Sequence, residues 1–277
     1  MTATAPATAA PAGRPFTAPV RPTRSGGGTP AMIGRSLRRL PRQPDTLLIS
    51  VALPVMLLLL FVYVFGGALD TAGGRQAYLT YVVPGIIVLA SGWGAASTAV
   101  AVATDMSTGI IDRFRSMPVR GPAVLTGHVV ASLAANAVAT ALVIGIALGL
   151  GFRPDASVGG WFAAIGIVAF YVLAITWVSV ALGLLAGGPD AANGMTFFIL
   201  FLPYVSSGFV ATDTMPGALR AFASHQPLTP VIDSVRGLLV GGGADGSDLA
   251  AALVWCVGIL AVGYTASALI YRRRSTR

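Results

Sequence analysis

The chain has 277 residues, 55% of them apolar before its 34 glycines are counted, with 10% charged and a net charge of +8. Soluble domains carry about 25% charged residues, so this deficit, with a mean hydropathy of +0.78, excludes a water-soluble globule and marks an integral membrane protein. All 18 basic residues are Arg and all 10 acidic residues are Asp, which excludes a Walker A phosphate loop, a Schiff-base lysine and a His-Glu-x-x-His zinc helix.

Residues 1–30 are mainly Ala, Pro, Thr and Gly with Arg14, Arg21 and Arg24, and hold no apolar run of signal-peptide length. Their composition predicts a disordered, cationic cytoplasmic tail ahead of a membrane domain over 31–277. In 32–45, Met32, Ile33, Leu37 and Leu40 share one helical face, and Arg35, Arg38, Arg39 and Arg42 supply the other. Pro41 and Pro44 stop that helix before the first span. The pattern reads as an interfacial elbow with snorkelling arginines, or as an ordinary positive flank.

Crossing a hydrocarbon core takes about 20 apolar residues. Six stretches qualify: 47–67, 79–103, 123–150, 161–186, 195–211 and 249–271. They are continuously apolar rather than alternating, which predicts helices and not a barrel. The fifth is the shortest and contains Pro203; the sixth holds the single cysteine, Cys256, so no internal disulfide can form. With both termini inside, fourteen arginines fall in cytoplasmic segments, against four outside: Arg75, Arg153, Arg220 and Arg236. This positive-inside bias predicts a multi-pass protein with both termini cytoplasmic.

The loop over 104–121 carries Met106, Ile110, Phe114 and Met117 at helical spacing, with Asp112 and Arg115 placed for an i,i+3 pair and Pro118 as a stop. Such a helix can lie on lipid, but its mixed charge favours a groove on a soluble partner. The outside segment 212–248 is long for a membrane-protein loop. Leu219, Phe222 and Ala223 make one short apolar face; Val231, Val235, Leu238 and Leu239 make another, interrupted by Asp233 and Arg236. The segment reads as two half-inserted or interfacial helices with Pro227 and Pro230 between them.

Here the residues become recognisable. The runs TGIIDRFRSMPVRGPAVLTGHV and FVATDTMPGALRAFASHQPLTPVIDSVRGLL, with the opening RSLRRLPRQPDTLLISVALPVMLLLLFVYVFGGAL, resemble the permease subunits of type-2 ABC exporters, in the daunorubicin-resistance (DrrB-like) permease group. The likeness spans about residues 32–273. It implies an all-α integral membrane protein with six transmembrane helices. An N-terminal amphipathic elbow, a cytoplasmic coupling helix and extracellular re-entrant helices before the sixth span would complete the fold. The coupling helix, docked on a separate ATP-binding subunit, would fall on Ile111, Asp112, Arg113, Phe114, Arg115 and Pro118. The re-entrant segment would include Met215, Pro216, Phe222, His225, Pro227 and Arg236.

The implied function is ATP-driven export of a hydrophobic or amphipathic compound (an antibiotic, lipid or glycolipid) across a bacterial plasma membrane. This chain would bind no cofactor; ATP and Mg would act through the partner ATPase. A second permease chain, in a homodimer, and membrane lipids would be the other partners, with no nucleic acid, since orientation explains the net charge. Export of polysaccharide or lipid-linked saccharide is the alternative, though Trp93, Trp161, Trp177 and Trp255 are scattered over four spans. An uncoupled channel or carrier would normally place ionisable groups within spans, whereas Asp105, His128 and Asp190 fall at span ends. Catalysis by the chain is not expected, because its two histidines, His128 and His225, are assigned to opposite sides of the membrane. Within the third span, Ser132, Asn136 and Thr140 predict interhelical hydrogen bonds rather than a substrate site. Gly145–Gly149 and Gly183–Gly187 match a small-residue packing pattern that this composition also produces by chance.

Overall fold

The computed structural model describes residues 44–66, 74–108, 121–241 and 243–275. Among these all regular structure is helical: α1 Pro44–Leu60, α2 Gly74–Ser107, α3 Gly121–Gly149, α4 Val158–Leu185, α5 Pro189–Phe201, α6 Gly217–His225, α7 Leu228–Val240 and α8 Gly246–Ser275. Four are long and apolar enough to cross a membrane: α2, most of α3, α4 and most of α8. The chain is thus an all-helical, multi-pass membrane protein. The expected elbow before Pro44 and the coupling residues Ile111, Asp112, Arg113, Phe114, Arg115 and Pro118 lie outside the described residues.

α2 is the central post. It packs against α1, α3, α4, α5 and α7, and its 34 residues run well past the apolar stretch 79–103 at both ends. α4 joins α2 to α8, while α3 and α8 leave most of their surface for lipid. Close approach depends on missing side chains. A Cβ at Gly183 of α4 would lie 2.5 Å from the Ala99 carbonyl oxygen of α2, whereas one at Gly145, Gly149 or Gly187 would meet nothing within 4 Å. Of the two small-residue patterns, only Gly183 makes such a contact. α4 and α8 are further joined where Tyr264 meets Trp177 edge-on at 4.9 Å and Ser267 Oγ donates to the Trp177 carbonyl at 3.1 Å.

The first and fifth apolar stretches differ from simple spans. α1 continues into a π turn, Phe61–Phe65, closed by Gly66 N–H donating to the Phe61 carbonyl at 2.8 Å. α5 begins earlier than the apolar run 195–211 and ends earlier, giving way to a 3-10 turn, Leu202–Val205, that contains Pro203. Residues 206–209 lie beyond the helix and are buried against protein. Pro230, expected between two helices, is instead the third residue of α7, a first-turn position that needs no intrahelical N–H.

Candidate functional site

At the end of the bundle where α2 begins, α6, α7 and the 206–216 segment form a compact cap. α7 has 13 residues, about 20 Å of helix, too short to cross. It is nevertheless deeply packed, with Leu228, Val231, Ile232, Val235 and Leu239 buried among α2, α4 and α8. Only part of the polar content here is hydrogen-bonded: among the described residues the buried Ser234 hydroxyl and Gln226 amide oxygen have no partner. Thr229 Oγ1 donates to the Ala223 carbonyl at 2.5 Å, and Gln226 Nε2 donates to the Val205 carbonyl.

Arg236 is the hub of the cap. Its Nη1 pairs with Asp233 one turn back, its Nη2 donates to the Ser207 carbonyl at 2.6 Å, and its Nε donates to the Tyr81 carbonyl at 3.3 Å. The guanidinium also lies over the Tyr81 ring, 4.1 Å from its centroid. Tyr81 lies in the turn of α2 just before Pro84, which leaves one backbone bond unmade but does not end the helix. Asp233 Oδ1 accepts a further bond from Ser207 Oγ at 2.8 Å, and the Tyr81 hydroxyl donates to the Ser207 carbonyl at 2.8 Å. Three chain segments are therefore tied through one side chain. Beside it a Cβ on Gly85 would come within 2.5 Å of the Gly208 oxygen, so the 206–209 segment lies directly on α2. Phe209 stacks on Phe61 of the π turn after α1 at 4.5 Å and on Tyr204 at 5.5 Å.

The other expected cap residues do not converge on Arg236. Met215 closes the short 3-10 turn Thr212–Thr214, and Pro216 precedes α6. Phe222 and His225 are exposed on α6; the His225 Nδ1–H donates to the Ala221 carbonyl at 2.8 Å. Pro227 caps α7. Tyr81 and Ser207 escaped the sequence reading, and Asp233 entered it only as an interruption of an apolar face, although an Asp–Arg pair one turn apart was the visible signal.

Below the cap, a largely apolar cavity of about 210 Å³ lies between α3 and α4. Ile87 of α2, Trp161 and Val168 of α4, and Val235 and Leu239 of α7 line it, and the exposed Ala141 and Ile165 form its rim. Asn136 contributes the polar edge. It donates to the Ser132 carbonyl at 2.9 Å, and Ser132 Oγ lies 3.3 Å from Thr176 Oγ1 of α4. The expected interhelical bond is thus made by Ser132, while Thr140 lines the cavity.

At the opposite end, Asp105 in the last turn of α2 meets His128 of α3, Nε2 to Oδ2 3.2 Å. Among the described residues no three His, Cys, Asp or Glu side chains group to hold a metal ion.

Comparison with known proteins gives a consistent result. The family model described as ABC-2 type transporter matches residues 29–240. The daunorubicin resistance ABC transporter permease protein DrrB1 of Streptomyces coeruleorubidus is 30% identical over 242 residues, 87% of this chain and 84% of that one. A protein of Mycobacterium tuberculosis named as a doxorubicin resistance ABC transporter permease, DrrC, is 26% identical over 242 residues, 87% of each chain. The transport permease ycf38 of Cyanophora paradoxa is 25% identical over 216 residues, 74% of this chain and 71% of that one.

Proposed function

The chain belongs to the ABC-2 type transporter family, and from that premise we propose that it is the membrane-spanning subunit of an ATP-driven exporter of hydrophobic or amphipathic compounds. The carrying observation is the match across 29–240, which takes in α1 to α7 and the Arg236 cap together. Two relatives bear the names of daunorubicin and doxorubicin resistance permeases, which makes these drugs the first cargo to try. With no lysine in the sequence, the chain cannot supply a Walker A loop, so ATP and Mg belong to a separate subunit.

Six spans complete the topology in this reading, with α1 and α5 as the first and fifth. The arginine bias places the termini and the loop 109–120 in the cytoplasm of a bacterial cell and the Arg236 cap outside. The tail 1–30 stays outside the membrane domain 31–277. Ile111, Asp112, Arg113, Phe114, Arg115 and Pro118 form the contact with the ATPase. Met215, Pro216, Phe222, His225, Pro227 and Arg236 belong to the outer re-entrant pair, and the shortness and burial of α7 support that assignment. A second copy of the permease completes the path. The exposed aromatic row Phe197, Phe198, Phe201 and Tyr204 on α5 and the adjoining turn supports this contact.

ATP closes the ATPase pair, and the permease shifts between arrangements that nucleotide favours unequally. The test is purification of the chain from its native membranes in mild detergent, with bound partners identified by mass spectrometry. A stoichiometric Walker A subunit, and ATP-dependent daunorubicin uptake by inside-out vesicles containing both chains, is the expected result. An intact, folded permease with no such partner would refute the ATP-driven reading.

A further inference from the structure

Asp105 and His128 stand on the two helices that enter and leave the segment 109–120; the Asp105 side chain is buried and that of His128 partly so, at 9% and 15% exposure. Their neighbours along each helix, Val102 and Met106 on α2 and Leu125 and Val129 on α3, belong to one apolar cluster with Leu184 of α4 and Tyr271 of α8. A carboxylate in such surroundings is costly to keep. Well-packed apolar residues at two facing positions are often at least as stable as a buried polar pair. Packing alone therefore does not account for a polar contact here, whereas a directional contact that fixes two helix ends to each other does.

The contact closes the base of the loop. Part of any force applied to 109–120 reaches the bundle through the covalent ends of that segment, residues 108 and 121. With the helix ends free, a pull would bend each end separately and dissipate there. With Asp105 held to His128 at 3.2 Å, α2 and α3 answer as one body. α2 then carries the displacement to the cap: Tyr81, whose carbonyl Arg236 grips, is 24 positions from Asp105, about 36 Å along a continuous helix.

We infer that Asp105 and His128 are a positioning pair, locking α2 to α3 so that movement of the loop between them is delivered to the Arg236 cap. The inference rests on the transporter reading above, in which an ATP-binding subunit acts on that loop.

The test uses the full complex with its ATPase in phosphatidylethanolamine–phosphatidylglycerol nanodiscs, which leave both membrane faces open to ATP and label, with Cys256→Ala and a reporter cysteine at Val210, which is 46% exposed within the cap. The readout is the change in reporter labelling by an impermeant maleimide when ATP is added, with ATP hydrolysis measured alongside. Asp105→Leu with His128→Leu replaces the pair by apolar packing. That double variant is expected to hydrolyse ATP within about twofold of the parent and to lose the ATP-dependent labelling change about tenfold, within the usual range of site-to-site coupling. His128→Gln, which keeps a donor of similar reach, is expected to retain the change. If the Leu/Leu variant keeps the full labelling change, the pair is only packing and the inference is overturned. If the Leu/Leu variant does not assemble, His128→Gln decides: loss of the labelling change in an assembled, hydrolysing His128→Gln complex also overturns it. If the parent complex shows no ATP-dependent change at all, the transporter reading fails first and the inference falls with it.

Discussion

Truncating Arg236 to Ala should loosen the cap from α2 and lower the stability of the whole bundle. Breaking one partner of a buried ion pair costs about 3–5 kcal/mol; the lower end applies, since the Arg236 and Asp233 side chains keep 18% and 27% exposure. An independent count agrees. Two charge-assisted bonds to the Ser207 and Tyr81 carbonyls at about 1.5 kcal/mol each, the low end for a charged donor, with a cation–π contact of about 0.5–1, give about 3.5–4 kcal/mol. For a chain of this size each kcal/mol moves Tm by about 2–4 °C, so at the lower figure of about 3 kcal/mol Arg236→Ala should melt about 6–12 °C early. The buried thiol of Cys256 provides the assay, because a thiol-reactive dye gains access to it only as the bundle opens. Asp233→Ala combined with Arg236→Ala should cost about as much as Arg236→Ala alone, since the two share one network. A Tm for Arg236→Ala within 2 °C of the parent would refute the reasoning and reduce the cluster to a surface ion pair.

Gly183→Val should yield little folded protein, because its Cβ would meet the Ala99 carbonyl at 2.5 Å, while Gly187→Ala, with open space around it, should stay within about 0.5 kcal/mol of the parent; the same dye assay separates them. Phe114→Asp should leave membrane insertion intact and abolish daunorubicin export; normal export would remove Phe114 from the coupling contact. In a Cys256→Ala background, a cysteine at Phe198 should cross-link two copies in native membranes, while one at Val254 of α8, 72% exposed, should not. Equal yields at both positions would remove α5 from the contact between copies.

The four long spans were legible because apolar residues run nearly unbroken for 20 or more positions, but their limits were not. α2 continues through Thr104, Asp105, Met106 and Ser107 because helical backbone bonds are satisfied in water as well as in lipid, whereas hydropathy sees only the apolar part. Hydropathy also did not show that the helix ends before 206–209. That stretch is buried against Gly85 and Tyr78, with the Tyr78 hydroxyl donating to the Phe209 carbonyl at 3.2 Å, and burial against protein demands the same residues as burial in lipid. Pro227 and Pro230 signalled a break correctly, yet only Pro227 lies at it, since a first-turn proline is compatible with α7. The Asp233–Arg236 pair was visible as an interruption of an apolar face. Its partners Tyr81 and Ser207, 155 and 29 positions away from Arg236, were not, and neither was the approach of Asp105 to His128 across 23. Local pattern carries no information about such distant pairings.

The polar contacts explain why arginine, and not merely a cation, occupies position 236. Its three acceptors belong to three segments: the Tyr81 carbonyl of α2, the Ser207 carbonyl of the segment after α5, and the Asp233 carboxylate of α7. A planar guanidinium addresses them with separate nitrogens fixed in one fork, while an ammonium offers a single nitrogen and no flat face for the Tyr81 ring. Apolar contacts along the rest of α2 are non-directional and tolerate small sliding. Directional contacts at Tyr81 and Asp105 do not; they are made or broken. A helix fastened in this way near both ends, and merely packed between them, changes position in discrete steps set by its fasteners. Arg236→Lys separates this account from one of simple charge: it keeps the cation but not the fork. It should recover less than half of the Tm lost in Arg236→Ala, and full recovery would show that charge alone holds the cap.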